Sequence, residues 1–259
     1  SLIASTDTWI EGLAIQQLIK TSELKGMVRV AGMPDLHPGR GYPIGAAFFT
    51  NNRIYPALVG NDIGCGMALW QTTIKTAKFN VDKTTNKLAD IEAPLDESWQ
   101  AHILDRQLEK GIAPNGFDSA LGTIGGGNHF AEFQAIDEIY NQSAFDSAGL
   151  DKKFLQLLVH SGSRGLGQAI LLEHIRQHNH DGLLVDESAN SEFCQYMSKH
   201  NSAVLWAELN RELIAKRFLS ALRAKGECLL DVNHNLVSPT SIKQQAGWLH
   251  RKGATPSDQ

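Results

Sequence analysis

Cysteine is scarce in this sequence. The 259 residues contain three, Cys65, Cys194 and Cys228. An odd number of cysteines in a chain of this length does not suit a disulfide scaffold, so we predict a reducing compartment. No apolar run approaches the roughly 18 residues of a membrane span, and residues 1–10 lack a basic segment followed by an apolar run. We therefore expect a cytoplasmic protein with no membrane partner.

An excess of charge of one sign is also missing. The formal net charge is −4, which excludes a uniformly cationic nucleic-acid clamp but is compatible with a local basic patch. Hydrophobic residues make up 42% of the chain, enough to bury a sizeable core. Because no repeat or clear linker interrupts the sequence, we predict one α+β domain over residues 1–259, with a mixed β-sheet core and surrounding helices.

Hydrophobic periodicity predicts the helices and strands. Helices are predicted over Thr8–Leu24, Ala169–His178 and Glu192–Leu222, and an irregular loop over Pro34–Tyr42. Strands are predicted over Met27–Val30, Ala46–Thr50, Ala57–Val59, Met67–Thr73, His129–Gln134, Phe154–His160 and Cys228–Val232. Several of these strands run into loops rich in glycine and polar residues. Loops held by a rigid sheet are a common place for enzyme sites.

Asp62 and Cys65 lie in the glycine-rich stretch Gly60–Gly66. Its glycines let the backbone curl, so both side chains can point at one centre. A thiolate is a strong ligand for a divalent metal, and a carboxylate can bind or bridge. A small buried cysteine in a tight turn explains Cys65 equally well when the loop is taken alone.

Three histidines occupy similar positions. His129 follows a glycine cluster, His160 ends an apolar strand, and His234 follows a third strand. A single histidine at such a place is more often a hydrogen-bonded structural residue than a ligand. Three such histidines, together with Asp62 and Cys65, favour a metal site. This site would hold two metal ions if Cys65 bridges them. Paired metals are a standard device for phosphoryl displacement.

Two segments have the composition of phosphate-binding sites. Ser161–Gly165 offers hydroxyls, backbone N–H groups and the guanidinium of Arg164, a set that suits a phosphate. His250–Gly253 is predicted to be a basic loop that reaches nucleic-acid phosphates. Each segment is also compatible with an ordinary solvated turn. Gly125–Gly127 matches neither a dinucleotide fingerprint nor a Walker loop, so we predict no Rossmann or P-loop nucleotide site.

Six motifs in this order resemble the RtcB family of RNA-splicing and RNA-repair ligases. The motifs are Met33–Gly41 (MPDLHPGRG), Gly60–Gly66 (GNDIGCG), Gly125–Phe130 (GGGNHF), His160–Gly165 (HSGSRG), Asn233–Asn235 (NHN) and His250–Ala254 (HRKGA). Together they span residues 33–254. The opening segments Trp9–Gly12 and Gly26–Val30 are most similar to the bacterial subgroup associated with release factor H, which implies a functional link to that factor.

The resemblance implies a GTP- and Mn²⁺-dependent ligase that joins RNA 3′-phosphate or 2′,3′-cyclic phosphate ends to 5′-hydroxyl ends, in RNA repair or tRNA splicing. It implies two Mn²⁺ ions, with Zn²⁺ as a possible substitute since the affinity order favours it. The implied metal ligands are Asp62, Cys65, His129, His160 and His234, with Cys65 as the bridge.

The resemblance also implies roles for residues around the metals. Asn128 and Glu132 would contact the guanylate, and Arg164 and Lys252 would hold phosphates of the RNA or the nucleotide. Asp35 would orient or deprotonate the attacking 5′-hydroxyl.

One family feature has no counterpart in this sequence. The family's guanylated histidine belongs to a motif downstream of the last one found here, and His250 belongs to a different motif. We therefore expect the chain to be C-terminally truncated relative to the family and inactive in ligation by itself. Two alternatives remain open: a dinuclear metal-dependent RNA-end phosphatase or cyclic phosphodiesterase, and a non-catalytic metal- and RNA-binding protein.

Overall fold

The computed structural model describes residues 9–256 of the chain. The α-helices are α1 Gly12–Ser22, α2 Pro56–Val59, α3 Val81–Lys87, α4 Gln100–Lys110, α5 Gln142–Ser147, α6 Gly165–His178 and α7 Glu192–Ala221. The strands are β1 Met27–His37, β2 Ile44–Thr50, β3 Arg53–Ile54, β4 Gly66–Lys75, β5 Phe130–Gln134, β6 Phe154–Ser161, β7 Leu183–Leu184, β8 Gly226–Asn233, β9 Asn235–Ile242 and β10 Gln245–Lys252. Short 3₁₀ helices cover Thr76–Lys78, Glu97–Trp99 and Asp118–Ala120.

This content confirms the α+β class. The strands form two four-stranded sheets, with orders β1-β2-β10-β9 and β5-β6-β4-β8, and a two-stranded sheet of β3 and β7. The sequence leads us to expect a mixed sheet, whereas the ladders with a described register run antiparallel. Contacts divide the chain into two compact units. The single domain expected over residues 1–259 stays a prediction.

The first unit comprises residues 1–65, 165–204 and 233–259. It contains the sheet of β1, β2, β10 and β9, in which β2 is buried along almost its whole length. One face of α1 packs on this sheet, because Ala14 and Leu18 are spaced four residues apart and both are buried. A second cluster in this unit includes Val59 and Ile63, so apolar residues anchor the chain on either side of Asp62.

The second unit comprises residues 66–164 and 205–232. Its sheet has β6 and β4 at the centre; β6 is buried along most of its length, and β4 is buried at alternate residues. The last turns of α7 pack Ile214, Phe218 and Leu219 against β4 and β6 residues such as Trp70 and Leu157. This burial fixes the position of β6, and His160 is the next-to-last residue of the strand.

Three local predictions are wrong. Ala57–Val59 is helical, within α2, because Pro56 starts a helix readily and a three-residue apolar run does not distinguish the two structures. His250–Lys252 is the end of strand β10 rather than a loop. β1 continues to His37, through part of the predicted Pro34–Tyr42 loop, with an irregular register.

Other predicted elements are confirmed with small changes at their ends. The helix predicted to begin at Thr8 is described from Gly12, and Thr8 lies outside the described residues. The polar end of helix α6 predicts a surface position for His174, but this residue is buried and contacts Tyr196. Among the residues that the structure describes, no helix combines the length and apolar character that a membrane span requires.

Two buried histidines are expected to make the first unit sensitive to acid. His200 Nε2 accepts the N–H of Val237 (3.1 Å), and His250 Nε2 accepts the N–H of Tyr55 (2.9 Å). Burial lowers the pKa of His200 and that of His250 to about 4. Because unfolded histidine titrates near 6.5, the unfolded chain takes up protons first as pH falls.

We therefore expect the contribution of these histidines to stability to be complete above pH 6.5 and to be lost between pH 6.5 and 4, at roughly 3 kcal/mol each. The free energy of unfolding, measured against pH with a chelator present, should fall less steeply in His200→Gln than in the wild type. The exposed His180→Gln is the control. An equal pH dependence of the free energy of unfolding in the wild type, His200→Gln and His180→Gln would contradict a stabilising role for neutral His200.

Candidate metal centre

The turn between α2 and β4 fixes Asp62 and Cys65. α2 ends at Val59, and the φ of +88° at the following residue, Gly60, favours glycine. The N–H of Cys65 donates to the carbonyl of Asp62 (3.1 Å), and Asn235 Nδ2 donates to the same oxygen (3.2 Å). Ile63 is fully buried between them. The two side chains are therefore carried by a short, internally bonded turn with an apolar anchor.

His234 lies at the sharp connection between β8 and β9. Its N–H and that of Asn235 both donate to the carbonyl of Cys65, at 2.8 and 3.2 Å. The carbonyl of His234 accepts the N–H of Ala254 (3.2 Å). Since the backbones of Cys65 and His234 are bonded directly, their side chains belong to one local structure although 169 positions separate them in the sequence.

His129 and His160 are neighbours in the second unit. Their ring centroids lie 5.5 Å apart, edge to face. His160 Nδ1 contacts the carbonyl oxygen of Asn128 (2.9 Å), and His129 Nδ1 contacts that of Ile124 (3.2 Å). Because a carbonyl oxygen only accepts, these contacts are hydrogen bonds when Nδ1 carries the proton, and Nε2 is then the ring nitrogen that can bind a metal. Such contacts are typical of metal-binding histidines.

The predicted ligands form two overlapping sets. One set consists of Cys65, His160 and His234, and the other of Asp62, Cys65 and His129. In each set, one ligand atom per residue lies within 4.8 Å of the others. Cys65 is common to both and is buried, so its thiol is the atom that two ions would share. Thiolate, imidazole and carboxylate donors fit a divalent transition metal.

Arg164 packs its guanidinium against Gly125, where any β-carbon would overlap it. The Oγ of Ser163 and the Nε of Arg164 are buried, and neither has a hydrogen-bond partner among the described residues. Buried polar atoms normally have partners. A hydroxyl and a guanidinium left in this way suit an anionic ligand such as a phosphate.

Lys252 is the last residue of β10, and His250 lies two residues before it. The surroundings of the two side chains differ. A β-carbon on Gly60 would lie 3.5 Å from Lys252 Nζ, and burial lowers the pKa of this ammonium. A phosphate beside it would favour the charged form. His250 is fully buried, with Nε2 accepting from Tyr55 and Nδ1 3.2 Å from the carbonyl of Phe48. His250 is therefore a structural residue of the sheet.

The remaining predicted site residues are exposed. Asn128 presents its carbonyl to His160, while its side chain lies in an exposed loop. Glu132 lies in β5 and accepts a hydrogen bond from Gln134 Nε2 (2.7 Å). Asp35 lies in β1 beside Gly45 and belongs to neither ligand set. Their predicted roles toward guanylate and the 5′-hydroxyl stay predictions.

Two polar residues next to the histidine loops belong to no motif that the sequence displays. Asn210 and Arg211 in α7 are completely buried, and both contact Ser161, the residue after His160. The only sequence signal is their position between Leu209 and Leu213, two residues that are also buried.

Comparison with known proteins gives the same family in each case. A family model described as tRNA-splicing ligase RtcB matches residues 17–111 and 105–259. RNA-splicing ligase RtcB2 of Escherichia coli is 55% identical over 256 residues, which cover 99% of this chain and 66% of the relative. RNA-splicing ligase RtcB of Mycobacterium tuberculosis is 27% identical over 93% of this chain and 71% of its own length.

A third relative is archaeal. The tRNA-splicing ligase RtcB of Nanoarchaeum equitans is 30% identical over 86% of this chain and 61% of its own length. The chain thus spans between about three fifths and seven tenths of these relatives. Because the family model matches nearly the whole sequence, this chain belongs to the RtcB family.

Proposed function

We propose that the chain provides the metal centre of an RNA ligase that joins 3′-phosphate or 2′,3′-cyclic phosphate ends to 5′-hydroxyl ends, using GTP and two Mn²⁺ ions. The observation that carries the proposal is the presence of Cys65 in both ligand sets. A shared thiolate would hold two ions close together, the arrangement that two-metal sites for phosphoryl displacement use. Zn²⁺ would compete at such a thiolate.

In this proposal Asp62, Cys65 and His129 would hold one ion, and Cys65, His160 and His234 would hold the other. The ions would supply Lewis-acid stabilisation of phosphate oxygens. The Nδ1 contacts of His129 and His160 would orient the ligand nitrogens toward the ions. All five side chains would act by binding the ions rather than by moving protons.

Other residues would bind the substrates. The guanidinium of Arg164 and the ammonium of Lys252 would neutralise phosphate oxygens, and Ser163 Oγ would donate to one of them. Asn128 and Glu132 are exposed beside the histidine loops and would contact the guanylate. Asp35 would orient the 5′-hydroxyl.

We further propose the cellular setting that these residues suggest. The macromolecular partner would be RNA with broken or spliced ends, in RNA repair or tRNA processing, in the cytoplasm. A functional link to release factor H would fit the resemblance of the opening segments Trp9–Gly12 and Gly26–Val30 to the subgroup associated with that factor.

A chimera tests the proposed reaction. In it, this chain replaces the matching 256 residues of the E. coli RtcB2 relative, whose own remaining third is kept. With Mn²⁺, GTP and RNA carrying the two end types, we expect sealing by the chimera and none by its Cys65→Ala variant, since both ligand sets lose their shared thiol. Joined RNA is measured on denaturing gels.

The other outcomes separate the alternatives. Release of 3′-phosphate without joining would contradict the ligase proposal in favour of a dinuclear phosphatase. Metal binding with no RNA turnover would favour a non-catalytic role. The 259-residue chain alone is the control, and we expect no covalent GMP adduct on it, because His250 engages both ring nitrogens within its sheet.

A further inference from the structure

Helix α7 carries two adjacent polar residues, Asn210 and Arg211, into the interior of the second unit. Both have zero exposure. Burying such groups is unfavourable unless their hydrogen bonds are satisfied. Their partners therefore indicate what the two residues are for.

Asn210 binds two separate loops with one amide. Its Oδ1 accepts the N–H of Gly122 (2.8 Å), and its Nδ2 donates to Ser161 Oγ (3.1 Å). Nδ2 also makes longer contacts with the carbonyls of Thr123 (3.3 Å) and Gly162 (3.4 Å). The first loop leads to His129, and the second directly follows His160.

A relay of hydrogen bonds continues from Asn210 to the His129 ring. Ser161 Oγ, which accepts from Asn210, donates to the carbonyl oxygen of Ile124 (2.9 Å). The same oxygen accepts the Nδ1 proton of His129 (3.2 Å). The position of this carbonyl sets both the tautomer of His129 and the direction of its Nε2 lone pair.

Arg211 fixes the backbone on which this relay depends. Its Nη1 donates to the carbonyl of Ser161 (2.9 Å), and its Nε and Nη2 bind Asp231 Oδ1 at 2.8 and 2.6 Å. The buried cation is therefore compensated by a carboxylate, as a fully buried charge requires. The ion pair holds the residue next to His160 in place.

We propose that Asn210 is a positioning residue of the metal centre, which couples the His129 and His160 loops so that both rings present Nε2 to metal at a fixed separation. This inference rests on the proposed metal centre. Hydrogen-bonding partners of metal-binding histidines typically change metal affinity by about 10–100-fold, and Asn210 acts on two ligands together.

Asn210→Asp tests the proposal. Aspartate keeps an acceptor for the N–H of Gly122 but places an oxygen against three acceptors that Nδ2 now binds. We expect Co²⁺ affinity, measured by absorption titration of the full chain, to fall by about 10–100-fold, with a shift of the cobalt ligand-field bands. Ser161→Ala, which buries no charge, should give a smaller loss of affinity and a shift in the same direction.

Leu213→Ala is the matched control, since Leu213 is equally buried on the same helix. It should lower the thermal unfolding midpoint and leave the Co²⁺ affinity and spectrum of the folded protein unchanged. If Asn210→Asp does not fold, the Co²⁺ affinity and spectrum of Ser161→Ala test the positioning role instead. Wild-type affinity and spectrum in the folded variants would overturn the positioning role, whereas a wild-type chain that binds no Co²⁺ would overturn the metal centre itself.

Discussion

Replacing Cys65 by alanine is expected to reduce the affinity of the chain for Co²⁺ and Mn²⁺ by at least about 100-fold, a larger effect than loss of a single outer contact produces. The reason is that Cys65 belongs to both ligand sets, so one substitution removes a ligand from each ion. The side chain is 3% exposed, and water would replace the thiolate poorly. Affinity is measured by titration with Co²⁺, and with Mn²⁺ as competitor.

Cys194→Ala is the control for this experiment. Cys194 is a partly buried thiol in α7 that belongs to neither set, so its replacement should leave both metal affinities unchanged. Cys65→Ser should lie between the wild type and Cys65→Ala, because a hydroxyl is a weaker ligand than a thiolate. Undiminished metal binding by Cys65→Ala would refute the assignment of the shared ligand.

Gly125→Ala is expected to weaken binding of a 3′-phosphorylated RNA oligonucleotide by roughly 10–100-fold, the range for a lost charge-assisted hydrogen bond. A β-carbon at this position would overlap the guanidinium of Arg164. Because this guanidinium ends a flexible side chain, it would move away while the fold is retained. The dissociation constant is measured by fluorescence anisotropy.

The same glycine cluster provides a closely matched control. Gly127 also has positive φ (+83° against +92° for Gly125), but a β-carbon there would meet nothing within 4 Å. Gly127→Ala therefore carries similar backbone strain without touching Arg164, and it should bind the oligonucleotide like the wild type. Equal weakening in both variants would attribute the effect to loop strain and contradict a phosphate role for Arg164.

The sequence singles out the candidate ligands of this site more clearly than it predicts the local structure around them. Asp62, Cys65 and the three histidines stand out because each lies in a glycine loop or at a strand end, and the two ligand sets contain all five. By contrast, the strand predicted at Ala57–Val59 is a helical turn started by Pro56. Three apolar residues carry too little periodicity to distinguish a strand from a helix.

The β9–β10 hairpin shows a second reason why local structure is not predicted from the sequence. Its turn residues Lys243 and Gln244 both have positive φ, the backbone of a turn that asparagine and glycine normally signal. Without those residues the hairpin gives no sequence signal, and the basic segment His250–Gly253 resembles a loop. Its pairing with β2, about 200 positions earlier, places Lys252 near Gly60.

Asn210 and Arg211 could not be assigned from sequence for a further reason. Adjacent polar residues on a long helix usually mark its solvated face. Here their partners lie between 20 and 88 positions away in the sequence. Only tertiary structure shows that these side chains bind the loops of His129 and His160.

The most direct test of the central claim is the number of Co²⁺ ions bound by the wild-type chain, followed through thiolate-to-cobalt absorption in the near ultraviolet. A thiol shared by two ions predicts two equivalents per chain, with the thiolate band changing during both. Binding of a single equivalent, or of any number without a thiolate band, would contradict a dinuclear centre bridged by Cys65.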